Sequence, residues 1–67
     1  MEISINGTSR SIAPSSATLA ELLRELALEG KRIAVEMNGE IVPKSRYGAT
    51  RVAGGDRLEI VVAVGGG

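Results

Sequence analysis

Residues 57–64 read Arg57-Leu58-Glu59-Ile60-Val61-Val62-Ala63-Val64, and where this segment sits decides the fold. Leu58, Ile60, Val62 and Val64 alternate with Glu59, Val61 and Ala63, the period of two that marks a strand. It is the most apolar strand of the chain, which puts it in the middle of a sheet. If it lies there parallel to the first strand, the connection between them must hold a crossover, and a helix fits that role.

The rest of the chain supplies the matching parts. Asn6-Gly7 and Asn38-Gly39 each separate short alternating segments, and Asn-Gly suits a two-residue hairpin turn that needs positive φ twice. Around Asn6-Gly7 the turn pairs Ile5 with Thr8, Ile3 with Arg10 and Met1 with Ile12. Met1, Ile3, Ile5 and Ile12 then share a face, and Arg10 on that face implies a sheet edge from which it snorkels to water. Pro14, Ser15 and Ser16 end the hairpin. Thr18 with Glu21 forms a capping box, and Leu19, Leu22, Leu23 and Leu26 follow at helical spacing. The helix is expected over about Leu19 to Glu29, with Gly30 as its left-handed stop.

A second hairpin follows, with Ile33, Val35 and Met37 facing one way, a turn at Asn38-Gly39, and a return through Ile41 and Val42 that Pro43 ends. A turn is expected near Tyr47-Gly48, a short extended piece at Thr50 to Val52, and a tight turn at Gly54-Gly55-Asp56. The order is hairpin, helix, hairpin, final strand. One helix covers one face of a mixed sheet and leaves the other to solvent. That is an α+β, β-grasp (ubiquitin-like) layout, with residues 1–64 as the domain and 65–67 as a flexible glycine tail.

Composition narrows the function. At 67 residues there is room for one modest core, and the chain has no Cys and no His. Disulfide staples, the usual zinc sites, and thiol or imidazole catalysis are therefore excluded. Eight basic and eight acidic residues give zero formal net charge, and Tyr47 is the only aromatic. Neither a basic run nor a stacking platform is present for nucleic acid. The apolar run Ile60–Val64 is too short to span a bilayer, and the N-terminus shows no signal-peptide pattern, so a cytoplasmic protein is expected. A chain this small has difficulty enclosing a water-excluded pocket, so it is not expected to be an enzyme on its own.

The candidate working part is the ending Gly65-Gly66-Gly67. Three side-chain-free residues reach roughly 10 Å beyond the fold and end in the Gly67 carboxylate. An ionised carboxylate is a poor electrophile until an oxygen becomes a leaving group, for instance as a mixed anhydride with AMP. The arm would have to thread into a partner's nucleotide site, where a Cβ would meet the walls. Alone, a glycine triplet is weak evidence, because frayed or linker ends look the same.

The segments Asn38-Gly39-Glu40-Ile41-Val42-Pro43-Lys44, Gly55-Asp56-Arg57-Leu58-Glu59-Ile60 and the closing Gly66-Gly67 together resemble the ThiS family, the sulfur carriers of thiamine thiazole biosynthesis. The likeness covers essentially the whole chain. It departs in Tyr47, where the family often has Trp, and in the extra Gly65. The resemblance implies that an E1-like, ThiF-like adenylyltransferase uses ATP to adenylate Gly67, and that the carrier binds no cofactor itself. Sulfur relayed through a cysteine desulfurase then replaces AMP to give a thiocarboxylate, which serves a ThiG-like thiazole synthase. Gly66 carries over as the second tail residue, with Gly65 threading beside it.

Ala34, Ile41, Val61 and Ala63 are expected to point away from the helix. Of these, Ile41, Val61 and Ala63 are candidate partner contacts, and Ala34 is read as idle surface. Three other readings share the sequence features: a MoaD-like small subunit of molybdopterin synthase, a ubiquitin-type protein modifier, and an interaction module with an inert tail. The molybdopterin subunit usually runs longer and carries more aromatics.

Overall fold

The Asn6-Gly7 turn folds β1 (Glu2–Ile5) back on β2 (Thr8–Ser11) in a computed structural model that describes residues 1–13 and 17–63. Ile3 pairs with Arg10 and Ile5 with Thr8, and the Met1 and Ile12 backbones bond to each other, which is the register expected from the alternation. The chain continues through α1 (Leu19–Glu25), β3 (Ile33–Met37), β4 (Glu40–Val42), a 3-10 turn (Lys44–Arg46) and β5 (Arg57–Val62). The turn residues Pro14, Ser15 and Ser16 lie outside the described residues.

The five strands form one mixed sheet in the order β2-β1-β5-β3-β4. β5 lies at its centre, parallel to β1 and antiparallel to β3, as its apolar composition requires. β2 at one edge explains the exposed Arg10. The helix packs on one face. Leu19, Leu22 and Leu23 of α1 close over Ile3, Ile5, Val35, Leu58 and Ile60, with Ile12 and Val52 completing the core. The capping box at Thr18 is complete: its hydroxyl accepts from the Glu21 N–H, and the Glu21 carboxylate accepts from the Thr18 N–H at 3.1 Å. The expected extended piece near Thr50 is reduced to a single bridge between Arg51 and Thr18. No helix among the described residues is long and apolar enough to cross a membrane.

The helix is shorter than its expected extent to Glu29. Leu26 caps it, Ala27 takes the left-handed conformation at φ 61°, and Gly30 serves a later turn at φ 82°. The Ala27 N–H donates to the Arg24 carbonyl at 3.0 Å and the Leu28 N–H to the Leu23 carbonyl at 2.8 Å, which is a Schellman ending. The apolar stripe stops at Leu26, so one more turn would have buried nothing. Ending early instead brings Leu28 back toward Leu23. An L-residue with a Cβ is strained at that φ by roughly 1–2 kcal/mol, part of which a glycine's greater unfolded-state entropy would offset. Ala27→Gly is therefore expected to stabilise the fold by about 0.5–1 kcal/mol and to raise Tm by roughly 2–8 °C. Calorimetry checks this, and a lowered Tm would show that the left-handed strain is negligible here.

Two asparagines do more than turn the chain. Asn6 has φ 50°, and its side chain continues the β1–β5 ladder where the backbone leaves it. Its Nδ2 donates to the Ile60 carbonyl at 3.0 Å, and its Oδ1 accepts from the Ile60 N–H at 2.8 Å. Asn38 makes a related contact at the other turn, accepting from the Arg57 N–H at 2.9 Å while its amide donates to the Asp56 carboxylate at 3.1 Å. Both contacts lock β5 between the two hairpins.

Candidate functional site

The glycines assigned to the working arm, Gly65, Gly66 and Gly67, lie outside the described residues, as does Val64. What the structure describes is the strand that leads to them. β5 is central and tied to both neighbours, and its pairing with β3 runs from Met37 opposite Leu58 to Ile33 opposite Val62. One residue further, the Ala63 N–H donates to the Arg32 carbonyl at 2.9 Å. The chain is thus anchored in the sheet up to three residues before the candidate Gly66. An arm leaving such a base starts from a defined point and direction, which limits the positions its end must search.

The open face of the sheet carries the proposed partner contacts. Val61 is 64% exposed and Ile41 76% exposed, while Ala63 and Ala34 are exposed as well. The alternation dictates this: Leu58 and Ile60 point to the helix, so Glu59 and Val61 point away. Register divides the face, however. Val61 sits opposite Ala34, whereas Ile41 sits opposite Glu36, which in turn sits opposite Glu59. Ile41 therefore shares its cross-strand row with two carboxylates, whereas Val61 lies in the next row beside Ala34. Like charges directly opposite on neighbouring strands oppose the pairing slightly, and burial of Val35, Leu58 and Ile60 on the other face outweighs that.

Sequence reading missed a second feature near the root of the arm. A groove of about 610 Å³ runs along α1 between Leu28, Ile33 and Tyr47, with Val61 and Ala63 also lining it. Its signals were faint. Leu28 falls off the helical stripe, and Tyr47 stands alone among polar residues after the 3-10 turn.

No reactive side-chain constellation accompanies these surfaces. The chain has neither Cys nor His, and among the described residues no group of three or more Asp and Glu could hold a metal ion.

Comparison with known proteins agrees in family and in fold. The ThiS family model matches residues 3–67. The chain is 37% identical over 65 residues to the sulfur carrier protein ThiS of Bacillus subtilis, covering 97% of this chain and 98% of that one. It is 48% identical over its whole length to a thiazole synthase of Paramagnetospirillum magneticum, of whose length it spans 20%. The crystal structure of a thiamine biosynthesis protein (ThiS) from Geobacter metallireducens superposes with a TM-score of 0.83 at 30% identity, over 100% of both chains.

Proposed function

The chain belongs to the ThiS family, and we propose that it carries sulfur for thiazole formation in thiamine biosynthesis as a thiocarboxylate on Gly67. The observation that carries this reading is the continuity of the family likeness through the glycines, on a fold that anchors the preceding strand up to Ala63. The carrier supplies an acyl group, and its partners supply catalysis. A Gly67 carboxylate oxygen attacks the α-phosphorus of ATP in an E1-like, ThiF-like partner, forming the acyl-adenylate and releasing pyrophosphate. Sulfur that a cysteine desulfurase has brought to the sulfane level then displaces AMP, with reducing equivalents from a thiol, and leaves the thiocarboxylate. Residues 1–64 act as the handle, Gly65 and Gly66 thread the partner's channel, and Ile41, Val61 and Ala63 contact its surface. ATP is consumed by the partner and is not held by this chain.

A thiazole synthase as the sulfur acceptor has independent support. Two relatives named thiazole synthase, from Paramagnetospirillum magneticum and Magnetococcus marinus, contain a counterpart of this whole chain within one longer polypeptide. Joining two modules in one chain raises their effective concentration for each other, which is useful when one must receive an unstable group from the other. Intact-protein mass after incubation with ATP, a ThiF-type enzyme, a desulfurase, cysteine and a thiol reductant tests the proposal. The expected result is a gain matching replacement of one oxygen by sulfur, located at the Gly67 carboxyl. No gain, with the enzymes active on the Bacillus carrier, overturns it.

A further inference from the structure

The groove beside α1 has the composition of a peptide-docking site. Its floor is apolar and only half buried: Leu28 is held by the Schellman turn, Ile33 opens β3, and Tyr47 caps the 3-10 turn with its N–H on the Lys44 carbonyl at 3.2 Å. All three pack against the core on one side and leave the other side open. Its rim is cationic. Lys31, Arg32 and Lys44 line it, and none has a side-chain ion pair or hydrogen bond among the described residues. The one acid of the lining, Glu29, is occupied by Arg24 at 3.2 Å. Because the formal net charge is zero, this excess is local. It lies at the end of the sheet where β5 approaches the glycine arm, while Glu36 and Glu59 lie toward the turn end.

We infer that this groove receives a segment of the activating enzyme that carries acidic side chains around an apolar one. The inference rests on the activation reading given above. Charge complementarity specifies the acids, since three unpaired cations attract carboxylates and repel a basic segment. The floor of Leu28, Ile33 and Tyr47 specifies the apolar member, because a purely anionic ligand would leave it wet. Val61 and Ala63 line the same groove, so a partner seated there holds the root of the arm while the glycines enter the nucleotide site.

The test is steady-state pyrophosphate release by a ThiF-type enzyme with the full chain and with the double variant Lys31→Glu/Lys44→Glu. Exposed charge reversals of this kind leave folding nearly unchanged, which melting by circular dichroism verifies. The variant is expected to raise KM by about tenfold or more with kcat unchanged, because rim charges govern encounter and docking. The wild-type KM should rise with ionic strength and the variant's should be nearly flat, with Lys31→Gln/Lys44→Gln in between. A wild-type chain that is activated, beside a double variant of unchanged KM, overturns the groove while sparing the activation reading. A wild-type chain that releases no pyrophosphate overturns both.

Discussion

Removing Gly66 and Gly67 is expected to abolish adenylation while leaving Tm unchanged. The two residues carry no side chains, and the last described anchor of the chain is the Ala63 N–H on Arg32, so truncation takes no packed group from the core. The reacting atoms are affected very differently. A carboxylate moved back by two extended residues retreats roughly 7 Å. Attack on the α-phosphorus needs the oxygen within about 3–3.5 Å, a distance a retreat of this size exceeds. A loss of at least about 10³-fold in pyrophosphate release follows from such a displacement. Gly67→Ala keeps the length and adds one methyl group, so it separates reach from width: a milder loss would indicate that length dominates, and an equal loss that the channel tolerates no Cβ. Full activity in the truncated chain would show that the tail is inert and would remove the carrier mechanism.

Most of the architecture was legible because its determinants are local. Asn-Gly fixes a hairpin within four residues, alternation fixes which side faces the helix, and the Thr18–Glu21 box fixes where the helix starts. The central position of β5 also followed from its own composition. Features that depend on residues distant in sequence were not legible. Leu28 closes the Schellman turn because Leu23 and the end of the sheet leave it a place to pack, so Ala27 rather than Gly30 ends the helix. The face bearing Ile41 and Val61 was readable strand by strand, yet the row that sets Ile41 beside Glu36 and Glu59, and apart from Val61, appears only once three strands are in register. The groove at Tyr47 needs the 3-10 turn, which a sequence of mixed polar residues does not announce. The glycines Gly65 to Gly67 were singled out in the sequence by their lack of side chains, and they lie outside the described residues.

Asn6→Gly should cost a large share of the stability, although it keeps the turn. Glycine accepts φ 50° without steric cost, so the substitution isolates the side-chain bonds. What disappears is the acceptor for the Ile60 N–H at 2.8 Å and the donor to the Ile60 carbonyl at 3.0 Å. Both bonds are part-buried, so water replaces these partners less readily than at a fully exposed turn. Leaving a buried peptide group unpaired costs about 1–3 kcal/mol, and two such groups make a loss of roughly 2–4 kcal/mol after partial relaxation. A chain of this size has a total stability of only about 3–10 kcal/mol. Tm should therefore fall on the order of 10–30 °C. Asn38→Gly is the control, because it removes one bond from the Arg57 N–H and one to the Asp56 carboxylate at the other Asn-Gly turn, where both are exposed. There water substitutes, and the cost should stay within about 1 kcal/mol. Equal losses at the two positions would show that burial of the ladder extension contributes nothing. The unequal result would make Asn6 the residue that holds the central strand, and with it the base of the glycine arm, against β1 across 54 residues of chain.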